Sequence, residues 1–261
     1  MPRSMVFLQL SDLHLAPPGT LVVGIDPMRQ MQRVLGRITQ LEVAPAFIVV
    51  SGDLTENGSA ASYEVVNAVL KELDGRDKAT PVLLALGNHD DRATFRRVVL
   101  GEERVADQGP YYYSRLIDGL RVIVLDSLIP GRPSGSLGAA QLAWLEEELQ
   151  MPAPRGYLIV LHHPCRLAGP AHHYPAFILR EAAALEALVA RHRDRVIGVL
   201  AGHTHQANSA PFGGTLHATA PAVLRQLDFF TGEQYTTVPG SGFNLCQIDE
   251  GGLTVHPVLL P

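Results

Sequence analysis

Met5-Val6-Phe7-Leu8-Gln9-Leu10-Ser11-Asp12-Leu13-His14 joins an apolar run to a polar turn, and the fold is read from that join. A short apolar run that stops at turn residues is the pattern of a strand buried on both faces. The same join recurs along the chain. Runs at 47–50, 82–86, 158–161 and 197–200 lead into Ser51-Gly52-Asp53-Leu54-Thr55, Gly87-Asn88-His89-Asp90, His162-His163-Pro164 and Ala201-Gly202-His203-Thr204-His205. A further run, 122–125, ends in Asp126-Ser127, a pair that reads as structural.

Helical patterns lie between these runs. Asp26-Pro27 supplies a cap and a first-turn proline, and Met28, Met31, Val34, Leu35, Ile38 and Leu41 then share one face. Residues 59–73, 139–149 and 180–192 repeat the amphipathic pattern. Strand and helix in alternation predict an α/β fold with largely parallel pairing. Beyond Gly213 the chain changes character, and 215–219, 243–248 and 253–258 read as antiparallel strands. Tyr111–Tyr113 fits a half-buried strand. Arg92, Arg96 and Arg97, and Arg191, Arg193 and Arg195, read as solvated helix faces. With no repeat and no long linker, one domain over 1–261 is expected, with a motif-bearing core at 1–206 and a β-rich part at 207–261.

Composition excludes several classes. Of 261 residues, 46% are hydrophobic and 18% charged, with a net charge of −5, which is too apolar and too weakly charged for a disordered chain. A mildly acidic chain with no Lys/Arg block does not fit a nucleic-acid partner. No apolar run approaches the length of about 18 residues that reads as a membrane span, and the N-terminal run is too short for a signal peptide. A cytoplasmic protein with no membrane partner is the expectation. Cys165 and Cys246 are the only cysteines, so neither a disulfide framework nor a thiolate zinc site is available. A metal site would have to draw on carboxylates and the eleven histidines.

The strand-end clusters suit that purpose. In α/β sheets, ligands collect at the carboxyl ends of strands. Asp12 and His14, two residues apart, point the same way in extended backbone, as do His203 and His205. The two oxygens of Asp53 can bridge two cations, and Asn88 offers a neutral oxygen beside an anionic substrate. Gly52, Gly87 and Gly202 let backbone approach closely. Oxygen and nitrogen donors without thiolate suit manganese, iron, cobalt or zinc. His172, His173, His192, His217 and His256 read as surface or packing residues, with His172 and His173 also placed to line a cleft. Cys165 follows the His-His-Pro turn but is not needed as a ligand.

The ordered set D-x-H, G-D, G-N-H-D, H-x-P and G-H-x-H resembles the calcineurin-like metallophosphoesterase superfamily. Within it, the chain is most similar to class III cyclic nucleotide phosphodiesterases and glycerophosphodiesterases. The resemblance spans about residues 5–206. It implies a four-layer αββα sandwich of two mixed sheets, with the metal site at strand C-terminal ends. It further implies a dinuclear centre, most often of iron or manganese, with zinc or cobalt also compatible. Asp12, His14 and His205 would hold one metal, Asn88, His162 and His203 the other, and Asp53 would bridge. His162 is preferred over His163 because relatives with H-x-P use the first histidine. His163 would then support the site or face substrate. Asn88 and His89 would contact substrate, His89 would protonate the leaving group, and Asp90 would orient a histidine. The implied reaction is attack of a metal-bridging hydroxide on a small phosphodiester, such as 3',5'-cAMP or a glycerophosphodiester. A phosphomonoesterase of the same superfamily is the alternative, and a non-catalytic metal-binding scaffold a remote one. Relatives often dimerise, so a homo-oligomer is allowed. Specificity is expected from the loops at 15–26, 167–177 and 229–242.

Overall fold

The computed structural model describes residues 4–74, 80–102, 109–167, 177–229 and 235–261. The chain opens with strand β1 (Met5–Leu10), helix α1 (Pro27–Ile38), β2 (Ile48–Ser51), α2 (Ala60–Asp74), β3 (Val82–Ala85) and α3 (Arg92–Val98). It continues with β4 (Tyr113–Ile117), β5 (Leu120–Val124), α4 (Gly138–Glu148), β6 (Tyr157–Val160), α5 (Ala182–Arg191) and β7 (Val196–Ala201). Six strands follow: β8 (Asn208–Phe212), β9 (Thr215–Thr219), β10 (Gln226–Asp228), β11 (Thr236–Val238), β12 (Ser241–Asp249) and β13 (Gly252–Leu260).

Two mixed sheets result. The first has the order β13-β12-β1-β2-β3 and the second β4-β5-β6-β7-β9-β8, while β10 and β11 form a separate ribbon. Strands β1, β2 and β3 run parallel, as do β5, β6 and β7. Alternation along β1 shows how the layers stack. Phe7 packs between the sheets, stacked on Phe47 at 4.5 Å, while Leu8 and Leu10 face α1 and α2. The second sheet likewise shares one core with the first and another with α4 and α5. Helices therefore flank two face-to-face sheets, and the expected four layers are present. The Asp26 carboxylate caps α1 by accepting from Met28 N at 3.0 Å and Arg29 N at 3.2 Å. Met31, Val34, Leu35 and Ile38 of that helix are buried as the pattern predicts.

Near the carboxyl ends a polar pillar crosses the apolar interface. Gln9 is fully buried; its amide nitrogen donates to Ser51 Oγ at 3.0 Å and to the Ala201 carbonyl at 2.8 Å. Asn244 Nδ2 donates to Gln9 Oε1 at 2.9 Å. This amide ties β1, β2, β7 and β12 together beneath the polar loops.

Two expectations change. Strand β9 pairs parallel to β7 and antiparallel only to β8, because the chain reverses at Gly213-Gly214 before re-entering the sheet. Arg92 and Arg96 are not solvated. Arg92 Nε and Nη2 donate to the Asp126 carboxylate at 2.6 and 2.9 Å, and Arg96 lies over the Tyr111 ring at 5.6 Å. Asp126 also accepts from the backbone nitrogens of Tyr111 and Leu128. Removing it would strand a largely buried guanidinium. Asp126→Ala is expected to cost about 3–5 kcal/mol in denaturant unfolding; a loss below about 1 kcal/mol would mean the pair behaves as a solvated one.

Candidate metal centre

The carboxyl ends of β1, β2, β3, β6 and β7 bring their polar loops to one place. Seven described residues other than glycine have positive φ, and five belong to these loops: Asp12 (54°), His14 (46°), Asp53 (49°), His203 (70°) and His205 (50°). The side chains of Asp12 and His14, and of His203 and His205, thus converge through left-handed backbone, not through the extended alternation expected from spacing. Cross-loop hydrogen bonds hold those conformations. Asp12 N donates to the Gly52 carbonyl at 3.0 Å, His14 N to that of Asp53 at 3.0 Å, and Leu15 N to that of Leu54 at 3.1 Å. Gly52 has φ of 102°, and a Cβ there would collide with the His162 ring; one at Gly87 would collide with Asp53. Backbone can come this close to the site only without side chains.

The expected donors are side by side. Asp12 Oδ1 lies 3.3 Å from His205 Nε2, and His14 Nε2 lies 3.6 Å from Asp53 Oδ2. His162 Nε2 lies 3.4 Å from the same oxygen, Asp53 Oδ2, and 3.2 Å from Asn88 Oδ1, so one carboxylate oxygen, and not the expected two, stands between the donor sets while Oδ1 accepts from His89 N. The His203 ring centroid is 5.0 Å from that of His162. Ligand atoms of Asp12, His14 and His205, and of Asp12, Asp53 and His162, each fall within 4.8 Å of one another.

Ring tautomers decide what this cluster needs. His14 Nδ1 faces Glu56 Oε2 at 2.7 Å, His205 Nδ1 the Arg225 carbonyl at 3.1 Å, and His162 Nδ1 the Ser51 carbonyl at 2.8 Å. Each oxygen accepts a hydrogen bond, so each neutral ring carries its proton on Nδ1 and a lone pair on Nε2. The lone pairs of His14 and His205 then face each other at 3.1 Å. That of His162 faces two oxygens, and His203 Nε2 is buried with no hydrogen-bond partner. A proton on His162 Nε2 can meet the Asp53 and Asn88 oxygens, but metal ions satisfy all of these atoms at once, so the donors fit a metal pair.

Electrostatics agree. Burial raises the Asp53 carboxyl, yet the charges of His162, His14 and His89 hold it well below the usual carboxylate range. Burial likewise opposes ionisation of Asp12, and His205 outweighs it. Burial would lower His162, but Asp53 and Asp12 push it up to about 9. The two buried carboxylates draw positive charge into the site, and a metal ion would compete for His162 with that proton. Burial, with His163 and His162 alongside, keeps His203 well below the ordinary imidazole value.

His89 stands at the rim with its side chain 37% exposed. Its backbone nitrogen donates to Asp53 Oδ1 at 2.9 Å, and its Nδ1 faces the Glu56 carbonyl at 2.8 Å. His163 is buried behind His162 and His203, with Nδ1 2.8 Å from Ser127 Oγ and Nε2 3.1 Å from the Pro133 carbonyl. Both ring nitrogens thus meet protein atoms, and any effect of His163 on substrate passes through its neighbours. Asp90 touches no histidine among its hydrogen bonds. Its carboxylate accepts from the backbone nitrogens of Leu54, Thr55 and Gly87, and from the Thr55 and Tyr63 hydroxyls, because burial leaves it no other source of donors. It fastens the loop after β3 to the loop after β2. Burial first, and Asp53 second, push its pKa up to about 6. His217 is buried and accepts from Cys165 N at 3.1 Å, a packing role, and His256 is exposed. His172 and His173 lie outside the described residues.

Glu56, against the His14 ring, is the neighbour of the cluster that sequence reasoning missed. Its position three residues after Asp53, in the same polar loop, is the only signal it offers. Removing its carboxylate would free the His14 ring, and Glu56→Ala is expected to weaken metal affinity about 10–100-fold. Calorimetric titration of manganese into metal-depleted protein would measure this, and unchanged affinity would remove Glu56 from the site.

A double-sheet sandwich carrying this donor cluster defines a dinuclear metal-dependent hydrolase. The sequence profile of the calcineurin-like phosphoesterase family matches residues 5–207, and the chain belongs to that family. It is 34% identical over 269 residues to a probable cyclic nucleotide phosphodiesterase of Rhodococcus erythropolis, covering 99% of this chain and 84% of the relative. It is 36% identical over 224 residues to a cAMP/cGMP dual specificity phosphodiesterase of Mycobacterium tuberculosis, covering 85% and 69%. Among solved structures, a dimetal phosphatase from Danio rerio aligns with a TM-score of 0.66 at 16% identity over 98% of both chains, a likeness of fold. No described helix is long and apolar enough to cross a membrane.

Proposed function

We propose that this chain hydrolyses a small phosphodiester, of which a cyclic nucleotide is the first candidate. The observation that carries the reading is the set of buried imidazole Nε2 atoms gathered about the Asp53 carboxylate, that of His203 without a hydrogen-bond partner. Asp12, His14 and His205 would hold one metal ion, Asn88, His162 and His203 a second, and Asp53 both. Iron or manganese are the expected metals, and zinc or cobalt also suit the donors. When bound, the pair would supply a water ionised near neutral pH and positive charge against the phosphoryl oxygens.

The chain's own residues do the rest. Glu56 and the carbonyls of Arg225 and Ser51 fix three rings so that Nε2 points inward. Asp90 and Gly87 place Asn88 and His89 beside Asp53. The Nδ1–H of His89 donates to the Glu56 carbonyl, which leaves Nε2 to carry a proton to the departing alkoxide. Asn88 and His89 would also bind the phosphoryl oxygens. His163, held by Ser127 and Pro133, keeps His203 in place. The names of the two bacterial relatives support a diester over a monoester.

Two assays test this. Metal-reconstituted protein should cleave bis(4-nitrophenyl) phosphate much faster than 4-nitrophenyl phosphate; the reverse order would indicate a monoesterase. His89→Ala should retain its metals by elemental analysis and lose about 10²–10⁴-fold in rate on an alkyl ester. It should lose far less on a nitrophenyl ester, whose leaving group needs no proton. Equal losses on both would remove the acid role.

A further inference from the structure

Among the described residues, five of the seven non-glycine residues at positive φ belong to the metal centre, and Asp118 with Gly119 forms the turn between β4 and β5. The seventh is Val23, with φ of 45°. A β-branched side chain disfavours this conformation strongly. Val22-Val23-Gly24-Ile25 is a two-residue hairpin, closed by Val22 N to the Ile25 carbonyl at 2.8 Å and Ile25 N to the Val22 carbonyl at 2.9 Å. Both central residues have positive φ, where Asn, Asp or Gly is the usual choice. Nothing within the turn calls for valine, and strain of this kind gathers at functional sites.

The turn is pinned over the metal centre. Val22 is buried against Ala16 and Leu224, and Leu224 N donates to the Asp12 carbonyl at 3.2 Å. Val23 is 59% exposed and lines a cavity of about 160 Å³ whose wall includes His14, Asp53, His203 and His205. Phe177, with its ring centroid 4.8 Å from that of His203, lines the same cavity. So does Tyr235, edge-on to Phe177 at 6.0 Å. The three segments from which specificity was expected each contribute one of these residues. A cavity this small would hold a phosphoryl group at its floor and leave the remainder of the substrate to pass across this rim.

We propose that Val23 is a specificity-determining residue, closing with Phe177 and Tyr235 an apolar slot for a flat, apolar arm of the substrate such as a nucleobase or an aryl group. The inference rests on the phosphodiesterase reading. A polyol arm would set most of its hydroxyls against Val23 and the Phe177 ring, which offer no hydrogen-bond partner, leaving only the Tyr235 hydroxyl and Arg225 on that wall to meet them.

The test compares bis(4-nitrophenyl) phosphate with methyl 4-nitrophenyl phosphate, which share a leaving group and differ in the retained arm. In Val23→Asn the kcat/KM preference for the bis-aryl ester should fall about tenfold. Asn tolerates the left-handed region, so the Tm of the metal-free variant should rise by about 2–4 °C. Val23→Ala should show the same loss of preference without the gain in Tm. An unchanged preference in both variants, or a Tm that falls in Val23→Asn, would overturn the proposal. If reconstituted wild type cleaves neither ester, the phosphodiesterase reading itself fails, and the slot with it.

Discussion

Asp12 and Asp53 are buried almost completely, and with His162 they place ligand atoms within 4.8 Å of one another. Two carboxylates so close in a low-dielectric interior are costly unless positive charge meets them. Most features of the molecule near the carboxyl edge answer that constraint. Four imidazoles surround the pair, and the backbone nitrogens of His89 and His203 donate to Asp53 and Asp12. The carbonyls of Ser51 and Arg225 and the Glu56 carboxylate turn the Nε2 atoms of three imidazoles inward, toward one another and the Asp53 carboxylate.

Meeting the constraint requires loops that ordinary strand geometry cannot provide. The left-handed backbone at five of these residues is expensive for side chains other than glycine. The loops after β1 and β2 offset that cost by hydrogen-bonding to each other, and Asp90 joins the loop after β3 to the second. Below them, Gln9 ties the two sheets with hydrogen bonds that have no room to shift. Both sheets contribute to the site, and the Gln9 amide links them directly beneath it.

Much of this was legible in the chain. Buried parallel strands are continuous apolar runs that stop at Gly, Asp or His, so β1 was read at its observed bounds and five other strand ends within a residue or two. The donors followed, since a side chain's chemistry is written in its identity. What escaped depends on contacts between distant segments. Strand β8 is Asn-Ser-Ala-Pro-Phe, an edge strand with little apolar pattern, and β4 lies at the other edge with Arg115 and Leu116 exposed. Whether β9 runs parallel or antiparallel to β7 is set by where the chain re-enters the sheet. The role of Glu56 needs His14 and the loop after β2 in the same place, and the strain at Val23 appears only once the turn is closed.

Anomalous diffraction from crystals of manganese-loaded protein, recorded near the manganese edge, tests the central claim most directly. Two peaks per chain are predicted, one on the Asp12, His14 and His205 side of the Asp53 carboxylate and one on the Asn88, His162 and His203 side. A single peak, or peaks whose ligands lie outside this set, would contradict it.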